Sequence, residues 1–261
     1  MGVRITGRVS APGATELSGL VLSTRRRNLF WSLNDSGNPA TLLAFTGSGR
    51  GVGEVAVTGA ENFDWEDLAA GRAGTLFVGD IGDNLAQRPS VSVLKVPEPR
   101  SGMASVAPTA RYELRYPDGA RDAEALLFDR SDGSLVIVSK SFGPAGGIYV
   151  ARRPSSRLVT TLRRAGTLKV DEGEAVTAGD VSADGRTIML RTYDRVFAWR
   201  RRAGETIAAA LRRRPCVPNV GLLGEGQGET LALTRDGRAF YTVPEGPRPA
   251  LRRYESSAGV S

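Results

Sequence analysis

The acidic side chains most able to do chemistry sit in five short phrases. They read Glu16-Leu-Ser-Gly-Leu20, Asp64-Trp-Glu-Asp-Leu68, Asp122-Ala-Glu-Ala-Leu126, Thr177-Ala-Gly-Asp-Val181 and Gln227-Gly-Glu-Thr-Leu231. Aligned, they put Ser18, Glu66, Glu124, Gly179 and Glu229 at one level. Glu16, Asp64, Asp122, Thr177 and Gln227 lie two residues earlier. Residues two apart on a strand share a face, so both rows can point to one axis. Carboxylates gathered in a low-dielectric funnel repel one another, and a bound cation relieves the repulsion. Calcium takes about 6–8 oxygen ligands, with carboxylates and amide carbonyls preferred. Two further acidic stretches, Asn34-Asp35-Ser-Gly and Asp80-Ile-Gly-Asp83-Asn84, follow expected strands and open toward the same face. The expected ligand set is therefore Glu16, Asn34, Asp64, Glu66, Asp80, Glu124 and Glu229, with calcium first and magnesium second. The competing reading is structural: the same residue types cap strands and build turns.

The expected proton-handling groups are Lys140 and Tyr193, which fall level with Asn34 around the rim, together with Glu66 and Glu124 themselves. A lysine acts as a base when its pKa is depressed. Lys140 can equally serve as counter-charge to Glu124. Arg191 alternates with Tyr193 along its strand, which suits an anionic substrate group or a buried ion pair.

Composition excludes several chemistries. There is no histidine and a single cysteine, Cys216. That removes histidine bases and intrachain disulfides and argues against zinc. No haem or nucleotide cofactor is expected. The net charge is +7, and Lys95, Lys140 and Lys169 are the lysines among 35 basic residues. The arginines cluster at Arg25–Arg27, Arg163-Arg164, Arg200–Arg202, Arg212–Arg214 and Arg252-Arg253. They fall beside turns, so a solvated rim is expected, and no nucleic-acid-binding motif accompanies them. No apolar run reaches the roughly 18 residues of a membrane span. No leader-like segment opens the chain, so a cytoplasmic location is expected, or a secreted one if a leader has been removed. A monomer with a small-molecule ligand in the funnel is expected.

The elements that position these residues follow from the repeat. The closing apolar residues are spaced 48, 58, 55 and 50 apart. A period near 50 is that of a propeller blade. Each phrase leads to a turn, with Asp132-Gly133, Asp184-Gly185 and Asp236-Gly237 suited to tight hairpins. Second strands are expected at Leu29–Leu33, Leu76–Gly79, Leu135–Ser139, Ile188–Thr192 and Ala239–Val243. Third strands are expected at Thr41–Phe45, Ser92–Val96, Gly147–Ala151, Arg195–Trp199 and Leu251–Tyr254. Fourth strands are expected at Glu54–Val57, Arg111–Arg115, Leu158–Leu162 and Thr206–Leu211. The fifth unit has no fourth strand of its own, and Val3–Val9 is spare. The expected fold is all-β: a five-bladed β-propeller of four-stranded antiparallel blades, with the N-terminal strand closing the last blade. The blades span about 15–60, 61–117, 118–166, 172–213 and 222–256, as one domain. Trp31, Trp65 and Trp199 are expected in the core between blades.

The phrases carry a resemblance. Asn34-Asp-Ser-Gly, Asp64-Trp-Glu-Asp-Leu68, Gly79-Asp-Ile-Gly-Asp-Asn84 with Arg88, Asp122-Ala-Glu-Ala-Leu126 and Val176-Thr-Ala-Gly-Asp-Val-Ser resemble a bacterial propeller family. Its members, common in high-GC actinobacteria, are described as WD-type-repeat or esterase-like-phytase-type proteins. More distantly, the acidic funnel is similar to calcium-dependent lactonases of the gluconolactonase and paraoxonase type. That resemblance implies one calcium polarising an ester carbonyl, with Glu16, Asn34, Glu66, Asp80 and Glu124 in ligand roles. This chain departs from those enzymes in having five units rather than six and no histidine. Three functions stay open. One is a cation-dependent enzyme acting on an ester, lactone or phosphoester, or on an isomerisation or cyclisation. The second is a non-catalytic binding propeller. The third is a glycosidase-like carboxylate pair, an analogy of fold.

Overall fold

The computed structural model describes residues 2–222 and 224–255. Five sheets stand around an axis. The first strand, β1 (Gly2–Arg8), precedes the first blade, which comprises β2 (Leu17–Leu22), β3 (Leu29–Asn34), β4 (Thr41–Thr46) and β5 (Gly51–Val57). The second contains β6 (Trp65–Ala70), β7 (Thr75–Asp80), β8 (Val91–Pro97) and β10 (Ala110–Arg115); before β10 the short β9 (Ser105–Val106) pairs in parallel with β5. The third contains β11 (Ala123–Asp129), β12 (Ser134–Ser139), β13 (Gly147–Ala151) and β15 (Arg163–Thr167), and the short β14 (Thr160–Thr161) joins β10 in parallel. The fourth has β16 (Val176–Val181), β17 (Thr187–Thr192) and β18 (Val196–Arg200), followed by the helix α1 (Ile207–Leu211). The fifth has β19 (Ala232–Leu233), β20 (Ala239–Thr242) and β21 (Ala250–Glu255).

The spare strand closes the ring as the sequence predicts. β1 runs antiparallel to β21, with Val3 opposite Tyr254 and Arg8 opposite Ala250. The fifth blade thus becomes four-stranded and its outer edge is paired.

Alternation along the strands places a core in every wedge between blades. Phe30 of β3 packs toward the fifth blade with Leu251, while its neighbour Trp31 packs toward the second with Trp65. Corresponding clusters fill the other three wedges. Trp31, Trp65 and Trp199 are all buried there.

Two expected outer strands need correction. Thr206–Leu211 is not a strand: Thr206 caps the helix α1, its side chain accepting the Ala209 N–H at 3.2 Å. Three consecutive alanines favour helix over strand. The fourth blade is therefore three-stranded. Leu158–Leu162 is also not the outer strand of its blade. Its threonines leave to extend the second blade, and β15 begins at Arg163, within what looked like a turn-side arginine pair.

Candidate functional site

The inner strands β2, β6, β11, β16 and β19 line the axis and are stitched together directly. Gly19 donates its N–H to the Glu229 carbonyl at 2.9 Å, and the Thr177 hydroxyl donates to the Gly228 carbonyl at 2.8 Å. Gly19 has φ +63, and a Cβ there would come within 2.7 Å of the Leu68 nitrogen. Only glycine lets β2 come this close to β6.

Register shifts interrupt the first strands near their starts. On β6 the pairing jumps from Trp65 to Asp67, and on β11 from Ala123 to Ala125. Glu66 and Glu124 are thus the extra residues of two β-bulges. Bulges re-aim a side chain and break the ladder locally. In the fourth blade the shift falls at Thr177, between Val176 and Ala178. Threonine rather than Gly179 therefore holds the bulge position there.

The consequence is an acidic trio. Glu66, Glu124 and Glu229 are 2%, 3% and 5% exposed, and one carboxylate oxygen from each lies within 4.8 Å of the others. Asp35, Asp64 and Glu66 form a second group on the same criterion, so Glu66 joins the two. Oε2 of Glu66 and Oε2 of Glu124 are buried without a hydrogen-bond partner. Gly82 closes one side. A Cβ there would sit 2.4 Å from both Asp64 Oδ2 and Glu66 Oε1.

The electrostatics match this crowding. Burial, then the Glu124 and Asp35 carboxylates, push Glu66 well above the usual carboxylate range. Burial and Glu229 raise Glu124 despite Lys140. Asp64 is pushed up to about 6 by burial, Asp35 and Asp122. Glu229 is pushed up to about 7 by burial and by its hydrogen-bonded neighbour Glu245. Two carboxyl groups hydrogen-bond only when one carries a proton.

Lys140 is an ion-pair partner of Glu124 Oε1. Burial opposes its charge, but Glu124 and the Tyr193 hydroxyl overcome this and raise its pKa. The geometry is that of a counter-charge, and a base would need the opposite shift. Tyr193 is half-buried and stacks on the exposed Phe142 with ring centroids 6.4 Å apart. Burial and Glu124 raise the Tyr193 pKa.

The remaining expected residues have partners of their own. Glu16 is exposed and accepts a hydrogen bond from Asn38 at 2.7 Å. Asn34 donates to the Gly13 carbonyl at 2.6 Å. Asp80 is buried, accepts the Asp64 N–H and pairs with Arg88 at 2.8 Å. Burial still raises its pKa against Arg88. Arg191 is fully buried, pairs with Glu225 at 3.0 Å and donates to the Thr230 carbonyl at 3.1 Å. This is the buried ion pair, and the Glu229 carboxylate also acts on its charge.

The sequence placed Asp35 near the funnel without assigning it a role, and Glu245 joins the site through Glu229. Sequence reasoning missed Glu225, which lies between β18 and β19, where no strand pattern marks it. The exposed aromatics Phe63 and Phe142 were also missed. Phe63 adjoins Asp64 in sequence, which was the available signal.

No protein-family model matches the chain, and no curated protein matches it. Among solved structures it is similar to the PQQ-bound form of aldose sugar dehydrogenase from Streptomyces coelicolor, at 12% identity and a TM-score of 0.52, over 98% of each chain. It is also similar to an auxiliary nutrient binding protein from Bacteroides thetaiotaomicron, at 10% identity and a TM-score of 0.56, over 97% of this chain and 76% of that one. At such identities the likeness is one of fold, and the fold that the chain shares is the β-propeller.

Proposed function

We propose that the funnel binds one divalent cation, calcium ahead of magnesium, through Glu66, Glu124 and Glu229, with Asp64 and Asp35 beside them. The observation that carries this reading is the pair of orphaned oxygens. Buried polar atoms are almost always hydrogen-bonded, and these two belong to carboxylates crowded against a third. The donor set is all oxygen, as calcium prefers. When bound, the cation supplies a Lewis acid for a carbonyl oxygen. The substrate class that fits is a small ester or lactone. A phosphate monoester would meet Asp35, Asp64 and Glu245 with its own negative charge. Asp64, at about 6, accepts the proton of an attacking water near neutral pH. Lys140, ion-paired with Glu124, stabilises an anionic product.

A second reading rests on the trio's spacing. Carboxyl groups about 5–5.5 Å apart serve retaining glycosidases as acid and nucleophile. With Glu229 near 7, a protonated and an ionised carboxyl group coexist here without any cation.

Metal analysis of the purified protein, with melting curves in EDTA and in calcium, tests the first reading. About one calcium per chain and a higher melting temperature with calcium support it. Turnover of aryl esters or lactones then separates an enzyme from a binding propeller. No bound metal, no thermal shift and hydrolysis of aryl glycosides would favour the second reading.

A further inference from the structure

A cavity of about 820 Å³ lies outside the funnel, between the fourth and fifth blades. Its origin is the missing outer strand. After β18 the chain turns into α1, whose Ile207 and Leu211 pack with Val150 of the third blade. The far side of the fourth blade, toward the fifth, is left without a fourth strand. There the chain pairs through a bridge between Cys216 and Ala198, and Leu222 donates its N–H to the Asp194 carbonyl at 3.2 Å.

The lining combines two chemistries. Met189, Ala198, Ala239 and Phe240 give an apolar floor, and Val217 adds an apolar wall. Arg200, Arg235 and Arg238 are the cations of the lining. The lining acids are already engaged. Asp184 accepts from the Ser182 hydroxyl at 2.6 Å and from the Arg186 N–H at 2.9 Å. Asp236 accepts from the Thr234 hydroxyl at 2.7 Å and from the Arg238 N–H at 3.2 Å. Among the described residues, no carboxylate comes within ion-pair distance of the Arg200 or Arg238 guanidinium, although Asp184 and Asp236 feel those charges from farther away. Pockets of about 300–1,000 Å³ hold small ligands, and a mostly apolar wall with a few polar groups is their usual lining.

The geometry points to this cavity as a binding site for an amphipathic anion: an apolar chain or ring on Met189 and Phe240, with one carboxylate or sulfonate held by Arg200 and Arg238. Arginine presents a fork of N–H donors that matches a carboxylate. A cation would meet three arginines, and a neutral apolar molecule would leave them unused. The site shares no residue with the acidic funnel, so it stands or falls independently of the function proposed there.

Cys216 gives a direct readout, because it is exposed, lines the cavity and is the sole cysteine. Its alkylation by N-ethylmaleimide, which is uncharged, would be followed by mass spectrometry with dodecanoate and with dodecanol. At about ten times its Kd, dodecanoate should slow the reaction roughly tenfold, since only about one site in eleven stays empty. Dodecanol should protect far less. Arg200→Ser with Arg238→Ser should weaken dodecanoate about tenfold or more, the scale of a lost charge-assisted contact. Val217→Trp, on the exposed wall, should reduce protection by both ligands while leaving the charges in place. Absence of protection by dodecanoate at millimolar concentration would overturn the proposal. Equal protection by the alcohol and the acid, or unchanged protection in the arginine variant, would overturn the anionic part.

Discussion

Asp180 of the fourth blade accepts the Leu233 N–H of the fifth at 2.8 Å and the N–H of its own neighbour Val181 at 2.7 Å. Asp67 repeats the arrangement between the second and third blades, accepting Leu126 and Leu68, each at 2.8 Å. These two carboxylates join inner strands that share no ladder. Burial pushes Asp180 up to about 7 from 3.8. A carboxyl group whose folded pKa is raised contributes stability in full below its unfolded value and loses it as pH rises to the folded one. The melting temperature of the metal-free protein should therefore fall between about pH 4 and pH 7, and Asp180→Asn should flatten that fall. Thermal melts across this range check it, and an identical slope in the variant would assign the titration elsewhere.

Glu66→Gln with Glu124→Gln should abolish the calcium-dependent rise in melting temperature. In EDTA the Glu66→Gln single variant should melt no lower than the parent, because a crowded buried carboxylate becomes a neutral amide, whereas Glu124→Gln also leaves Lys140 without its ion-pair partner. Melting in EDTA and in calcium decides it. A large loss of stability of the single variant in EDTA would show that Glu66 acts as a structural group.

Lys140→Met should tighten calcium binding about tenfold, since it removes a cation beside a ligand carboxylate. Isothermal titration calorimetry measures this. Weaker binding would mean that the ammonium group is needed to hold Glu124 in place.

Arg191→Met should destabilise the fold by about 3–5 kcal/mol, because Glu225 would keep a buried charge without its main partner. The double variant Arg191→Met with Glu225→Gln should recover part of the loss. Urea unfolding of the four proteins of the cycle measures the coupling.

The fold and the site were legible in the sequence to different depths. The repeated phrase fell on the inner strands of four blades, because each blade must supply one strand to the axis; the fifth, β19, is only Ala232–Leu233 and begins just after its phrase. The phrase also brought Glu66, Glu124 and Glu229 to one level. The bulges that aim two of them inward are invisible in sequence, since they depend on pairing with β7 and β12. The fourth unit carries its bulge at Thr177, and no alignment of phrases alone reveals that displacement. That Arg88, eight residues on, folds back to pair with Asp80 is likewise not visible in the sequence. The outer strands were least legible. They face solvent on one side, so composition constrains them weakly, and in the fourth unit the alanines of 208–210 carried a helix signal that the repeat overrode in sequence reading.

The closing pair of strands has a mechanical consequence. Gly2 lies opposite Glu255 at one end of the β1–β21 pair, and Arg8 lies opposite Ala250 at the other. A force applied through Gly2 and Glu255 therefore acts at the same end of an antiparallel ladder. It opens the hydrogen bonds one after another, like a zipper, instead of shearing them all together. Pulled from those two points, the ring should open at low force and start at its seam, while the four remaining blades keep their contacts with one another.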